Sequence, residues 1–287
     1  MSRAERYLVS GRTAVITGAA SGIGRSLALR LARHGCPVAI ADINESDLNE
    51  TASAISGPVL ARSVDVGDAA AQQEFAREVK SWAPAALGAV FNNAGVGVAS
   101  TVMDAVPADD EWLWNINFHG VVNGTRAFLP ILVEQDSGAI VNTSSVYGLA
   151  GMPAQSAYCA AKFAVRGFTD ALRQELRGTG VRAITVHPGG INTNIARNAR
   201  WHIEPDGGLT REQEIDQFAA MALTQPDRAA EIIHRGVEAG RARILIGPDA
   251  YVFDALARLT PSHYYDVLDR LLRLLKKRGR ALHSATV

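Results

Sequence analysis

Within the stretch SSVYGLAGMPAQSAYCAAKFAV, Tyr158 and Lys162 stand four residues apart among small side chains. On a helix, residues at i and i+4 share one face, so a phenol and an ammonium placed this way can address one atom or one ligand. A free phenol titrates near ~10, too high for an efficient base at neutral pH, but a neighbouring cation favours its ionised form. Such a pair could move a proton to or from an alcohol or carbonyl oxygen. The same spacing also describes two amphipathic side chains snorkelling along an ordinary packed helix. Spacing alone does not separate these readings.

A second feature lies near the start, where TGAASGIGR follows an apolar run and places Gly18, Gly22 and Gly24, with Ser21 and Ile23 between them, at the entry to a helix. Glycines permit a tight turn and close backbone approach, and a helix N-terminus offers unpaired N–H groups to a phosphate. The spacing is G-x-x-x-G-x-G, which departs from the G-x-G-x-x-G fingerprint, so its strand-turn-helix context carries the argument. The next apolar run ends at Asp42, eighteen residues beyond Gly24, where a carboxylate can bind both ribose hydroxyls of a dinucleotide. That carboxylate would repel the 2′-phosphate of NADP, so NAD(H) is favoured. NADP(H) stays open, because Arg25 is near enough to reorient toward a phosphate. The bland readings are a glycine turn without a ligand and an Asp42 that only caps a turn.

The elements that must position these residues are legible as short apolar runs between helical patterns: RTAVITG, PVAIAD, PVLARSVDV, LGAVFNNAG, GAIVNTSS, VRAITVHPG and ARILIG. They lack polar alternation, as strands buried on both faces should, and their connections are long enough for crossover helices. The fold class is therefore α/β, a doubly wound, mostly parallel, Rossmann-like sheet of seven strands flanked by helices. INESDLNETASAI and VGDAAAQQEFAREVKSW each begin with a capping Asn or Asp, and one long helix is expected from about Asp109 to Glu134. No repeat or linker divides residues 1–287, which read as one domain. The polar segment after the sixth strand, GINTNIARNARWHIEPDGGLTREQEIDQ, lies in a substrate lid expected over residues 190–225. A C-terminal helical extension covers 260–287.

Composition narrows the function classes. The chain has 287 residues, and its 29 basic residues balance 29 acidic ones, which removes the electrostatic footprint of a nucleic-acid binder. Cys36 and Cys159 have no CxxC spacing, so neither a disulfide framework nor a metal site is expected. No signal-peptide core precedes the first strand, and no apolar run approaches the ~18 residues of a membrane span. A soluble cytoplasmic protein is the expectation, with LDRLLRLLKKRGR as an amphipathic helix able to pack on its own domain, on another subunit or, weakly, on a lipid surface. No G-x-S-x-G elbow, Walker loop or H-E-x-x-H motif competes.

Taken together, TGAASGIG, the Asp65–Val66 pair, NNAG from Asn92 to Gly95, NINFHG, the Tyr158/Lys162 pair and HPGGINT occur in an order that resembles the classical short-chain dehydrogenase/reductase family over roughly residues 11–193. The resemblance implies cofactor contacts at Gly18, Ser21, Gly22, Ile23, Gly24, Asp42, Asp65, Val66, Asn92, Asn93, Ala94, Gly95, Pro188, Gly189, Ile191 and Thr193, shared with Tyr158 and Lys162. It implies a catalytic tetrad of Asn117, Ser145, Tyr158 and Lys162, Ser145 standing at the family's interval before Tyr158 and Ser144 pointing away. Lys162 would lower the pKa of Tyr158 and grip the nicotinamide ribose, while Asn117 supports a water leading from Lys162 to solvent. Gly190 is slightly unusual and either frees the lid or serves as a plain turn residue. His187 reads as structural and Tyr147 as a bystander.

The function that follows is an NAD(P)(H)-dependent oxidoreductase interconverting a secondary alcohol and a ketone. Val98, Val146, Met152, Ile195 and Trp201 suggest an apolar or bulky small-molecule substrate. The resemblance also implies a homotetramer or homodimer joined through the long crossover helices. The competing reading is a non-catalytic dinucleotide-binding regulator or scaffold on the same fold.

Overall fold

β-branched runs bounded by turn residues become the strands of a parallel sheet. In the computed structural model, which describes residues 9–203, 210–213, 215–216 and 222–270, β1 (Thr13–Thr17), β2 (Val38–Asp42), β3 (Val59–Ser63), β4 (Leu87–Asn92), β6 (Gly138–Thr143), β7 (Val181–Pro188) and β9 (Arg243–Ile246) align in the order β3-β2-β1-β4-β6-β7-β9. All neighbours pair in parallel. Among the described residues the seven expected strands are the seven strands of this sheet. The third ends at Ser63 rather than Val66, because the chain turns at Asp65 to begin the next helix.

Chain order reverses at β1, whose neighbours are β2 on one side and β4 on the other. Connections therefore leave the sheet in opposite directions and open a crevice beyond the carboxyl ends of β1 and β4, the place where open α/β sheets bind ligands. The crossover helices α1 (Gly22–Arg33), α2 (Glu45–Ser53), α3 (Ala69–Trp82), α4 (Pro107–Trp114), α5 (Gly120–Glu134), α6 (Ser156–Glu175) and α7 (Pro226–Glu238) cover the two faces, and α8 (Pro248–Leu259) follows the last strand. Asn44 accepts from the Asp47 N–H and Asp68 from those of Ala70 and Ala71, as their cap positions predict.

The expected long helix runs from Pro107 to Glu134 but is interrupted by a π-turn at Asn115–His119. Such turns break the regular bonding ladder and recur at functional sites. Apolar periodicity cannot reveal a π-turn, because it inserts only one residue into the helical register.

Two apolar cores sandwich the sheet. One joins α1 and α7 to β1, β2 and β7 through Ile16, Leu27, Leu31, Ile184 and Ile233. The other seats Phe75 of α3 against Phe128 of α5, their rings edge to face with centroids 5.8 Å apart. Among the described residues no helix is long and apolar enough to cross a membrane. Most of LDRLLRLLKKRGR lies outside the described residues. Phe128 is fully buried and Met103 is 95% exposed, so Phe128→Ala should cost ~3–5 kcal/mol of stability and Met103→Ala under ~0.5 kcal/mol, as read by urea unfolding.

Candidate active site

The turn after β1 needs its glycines. Gly18 and Gly22 adopt φ of 69° and 53°, a region that penalises side chains. A Cβ on Gly18 would stand 2.8 Å from Ala94 Cα, and one on Gly24 would overlap the Gly18 carbonyl. α1 thus packs tightly against the strand it follows. Unlike α2 and α3, this helix begins without a capping side chain, since Ser21 makes no cap bond, and its first turn holds no acidic residue. Its N–H groups and positive dipole end are left for an anion.

Asp42 ends β2 beside this loop. One carboxylate oxygen accepts from Ala20 N at 3.0 Å and the other from Asn44 N at 3.0 Å, so the residue both ties down the glycine loop and turns the chain. The next side chain, Ile43, is exposed and carries no charge, and Arg25 leans toward Glu50 at 3.9 Å. Asp65 accepts from Gly67 N, and buried Val66 packs where a Cβ on Gly120 would otherwise sit.

Thr17, a residue the sequence did not single out, organises the NNAG turn: its hydroxyl accepts from Asn93 N and Ala94 N, and its carbonyl accepts from Asn93 Nδ2. Asn92 points the other way, into a buried ladder in which its amide donates to Thr125 and Asn142, and Asn142 donates to Thr169. Thr193 closes the opposite wall, its Cγ2 3.1 Å from where a Cβ on Gly22 would lie. Pro188 ends β7, Gly189 N bonds Ile246 O, and Ile191 pairs with Thr224.

The tetrad residues come from three elements. Ser145 follows β6, Tyr158 and Lys162 lie on α6, and Asn117 lies in the π-turn. Ser144 and Ser145 part as strand alternation requires: the Ser144 hydroxyl donates to Lys162 O at 2.8 Å, while the Ser145 side chain caps Tyr147 N and interacts with Tyr158. Lys162 Nζ donates to Thr143 O at 3.2 Å and stands 5.7 Å from the Tyr158 ring centroid. The Asn117 side chain is engaged at both ends, accepting from Val96 N and donating to Val96 O. A Cβ on Gly95 would approach Asn117 Oδ1 to 3.0 Å and Lys162 Nζ to 3.4 Å, so Asn117, Lys162 and the NNAG turn meet at one point.

Electrostatics here run against the simple expectation. Burial pushes Tyr158 up to about 12, and its interaction with Ser145 only partly opposes this. Burial also brings Lys162 down to about 8. Loss of solvent around both groups outweighs the attraction between them, so the phenol is a proton donor at neutral pH rather than a ready base. The Tyr147 ring meets that of Tyr158 edge on, centroids 6.1 Å apart, and faces Phe253 of α8, centroids 6.4 Å apart. Buried His187, held neutral with a pKa near about 4 chiefly by desolvation, places Nδ1 3.0 Å from Ser145 O. A carbonyl can only accept, so Nδ1 carries the proton and steadies the Ser145 backbone.

Of the residues expected to line a substrate pocket, Val98 and Val146 are buried, while Met152, Ile195 and Trp201 are partly exposed. Within residues 190–225, where a lid is expected, lies a two-residue strand, β8 (Arg200–Trp201), paired in parallel with β5 (Val98–Ala99). Asp109 of α4 clasps it, accepting from Arg200 at 2.5 Å and lying 2.6 Å from His202 Nε2, and Arg200 stacks 3.7 Å from the Trp112 ring centroid. No sequence pattern marks this clasp, because its members lie about ninety residues apart.

Comparison with known proteins agrees with this geometry. The sequence pattern of the family described as short chain dehydrogenase matches residues 12–203. The chain is 42% identical over 261 residues to the putative oxidoreductase SadH of Mycobacterium tuberculosis, covering 88% of this chain and 92% of that one. Among solved structures, it resembles a short chain dehydrogenase/reductase from Burkholderia phymatum in complex with NAD, with a TM-score of 0.79, 29% identity and coverage of 87% and 94%. A short-chain dehydrogenase from Streptomyces avermitilis aligns with a TM-score of 0.77 at 25% identity, covering 95% and 99%.

The hydrogen bond to His202, followed by the contacts of Arg200, holds the Asp109 carboxyl below its ordinary value. The clasp therefore persists above the ordinary aspartate range and is lost only as pH falls through that lowered value. At neutral pH, Asp109→Asn should loosen it and speed tryptic cleavage after Arg197 and Arg200 by a few-fold, read by mass spectrometry of timed digests.

Proposed function

The chain belongs to the short-chain dehydrogenase family, and from that membership we propose an oxidoreductase that interconverts a secondary alcohol and a ketone, with NAD(H) favoured and Tyr158 as acid/base. The observation that carries this reading is the meeting of Ser145, Tyr158 and Lys162 beside Gly95, at the same crevice as the uncapped N-terminus of α1.

The residues present fit a dinucleotide. The open turn at Gly18–Gly24 would hold the pyrophosphate, Asp42 the adenosine ribose, and Ile191 with Thr193 the nicotinamide amide. A bound nicotinamide supplies or accepts the hydride. Ser145 would donate a hydrogen bond to the substrate oxygen and hold it against the Tyr158 hydroxyl. In ketone reduction the protonated phenol gives its proton to that oxygen; in alcohol oxidation it must first lose one. The Lys162 ammonium, positively charged below about 8, favours that loss. Asp42 and the uncharged Ile43 support NAD(H) over NADP(H), since neither offers a partner to a 2′-phosphate. Partly exposed Met152, Ile195 and Trp201 support an apolar, bulky substrate. Exposed Val133 on α5 and Phe163 on α6 support assembly into a homotetramer or homodimer through these helices.

Nicotinamide absorbance measured against a panel of hydroxysteroids, diols and aryl ketones tests the reading. Tyr158→Phe should lower kcat by ~10²–10⁴-fold, with a far smaller effect on NADH binding. Ketone reduction should hold steady through neutral pH and fall above about pH 8, as Lys162 loses its charge and the phenol becomes a weaker acid, whereas alcohol oxidation should rise with pH only up to about 8, where the same charge is lost. Absence of turnover with either cofactor across the panel, or full activity in Tyr158→Phe, overturns the assignment.

A further inference from the structure

The double glycine in HPGGINT does not serve backbone freedom: neither Gly189 nor Gly190 is among the glycines with positive φ. What occupies the space beside them is a carboxylate from another element. Asp249 lies in the first turn of α8, and its Oδ2 accepts from Gly190 N at 2.6 Å. A Cβ on Gly189 would overlap both oxygens of that carboxylate, and one on Gly247, which has φ 92°, would overlap Oδ1. Gly189 and Gly247 thus form a slot shaped to the Asp249 side chain.

The slot lies directly before Ile191 and Thr193. From the other side, Thr224 donates its N–H to Gly190 O at 3.4 Å and accepts from Asn192 N at 3.0 Å. The segment is therefore gripped between Asp249 and Thr224, and Ile191 is buried against the main core. The same helix α8 places Phe253 against Tyr147, whose ring backs Tyr158. One short helix fixes both the segment expected to bind the nicotinamide amide and the wall behind the acid/base.

We infer that Asp249 is a positioning residue for nicotinamide binding, holding the Gly189–Thr193 backbone in register through Gly190 N within a slot that Gly189 and Gly247 leave open. This rests on the dinucleotide reading above. Its effect falls chiefly on the nicotinamide half: Thr193 packs against Gly22 of the glycine loop, but Asp42, which would hold the adenosine ribose, ends β2, at the far end of the order β2-β1-β4-β6-β7.

The test measures NADH binding by its fluorescence and ADP-ribose binding by calorimetry, for the wild type, Asp249→Ala, Asp249→Asn and Gly189→Ala. Asp249→Ala should weaken NADH binding by about tenfold, as expected when a backbone donor loses a charged acceptor, and leave ADP-ribose binding unchanged. Asp249→Asn should recover most of the loss, because its amide oxygen can accept the same N–H. Gly189→Ala should reproduce the selective loss, and adding Asp249→Ala to it should weaken binding no further than Asp249→Ala alone, since the removed carboxylate frees the space the methyl fills. The inference is overturned if folded Asp249→Ala binds NADH as the wild type does, or if NADH and ADP-ribose weaken equally. If Asp249→Ala does not fold, Asp249→Asn and Gly189→Ala carry the same comparison. Wild-type protein that binds neither ligand would overturn the dinucleotide reading itself, an outcome distinct from binding that ignores position 249.

Discussion

Lys162 brings an ammonium into a site where its residue is only 2% exposed, and the loss of water there must be offset by partners that the surrounding backbone holds in place. Thr143 O accepts from Nζ, the Tyr158 ring lies alongside, and Gly95 leaves room for Nζ and the Asn117 amide to approach. Ser144 bonds the Lys162 carbonyl and so ties α6 to the end of β6. Gly148 packs against the same carbonyl where any side chain would intrude. Lys162 is thus the point at which β6, α6, the π-turn and the NNAG turn are brought into contact.

The same burial that makes Lys162 demanding also sets the proton chemistry. Desolvation drives the phenol up and the ammonium down, so the free site rests as a neutral acid beside a cation that is close to losing its proton. The Lys162 charge by itself does not offset that desolvation, and a positive charge arriving with a ligand would favour phenolate further. On the proposed reading this links chemistry to binding: the segment that Asp249 holds and the wall that Tyr147 forms would both help to bring a charge and a substrate oxygen to Tyr158.

Much of this was legible in the sequence where it had a local cause. Seven apolar runs became seven strands because strands buried on both faces have no polar alternation to disguise them. Asn44 and Asp68 capped the helices their positions implied, and the division between Ser144 and Ser145 followed from the two-residue period of a strand. The π-turn around Asn117 was not legible, since one inserted residue barely disturbs an apolar stripe. The raised pKa of Tyr158 was not legible for a related reason: the sequence shows that a lysine is near, but not that both groups lose their water.

Sequence alone determined the order of the elements, the glycine turn at the first helix, and the helical spacing that puts Tyr158 and Lys162 on one face, because each depends on residues within a few positions of one another. Tertiary structure decided which far-separated groups meet. Thr17 holds the NNAG turn, Asp109 clasps Arg200 and His202, and Asp249 fills the space that Gly189 leaves. These contacts join residues about sixty to ninety positions apart. Their geometry is set by the sheet that carries them, and no local pattern of residue types records it.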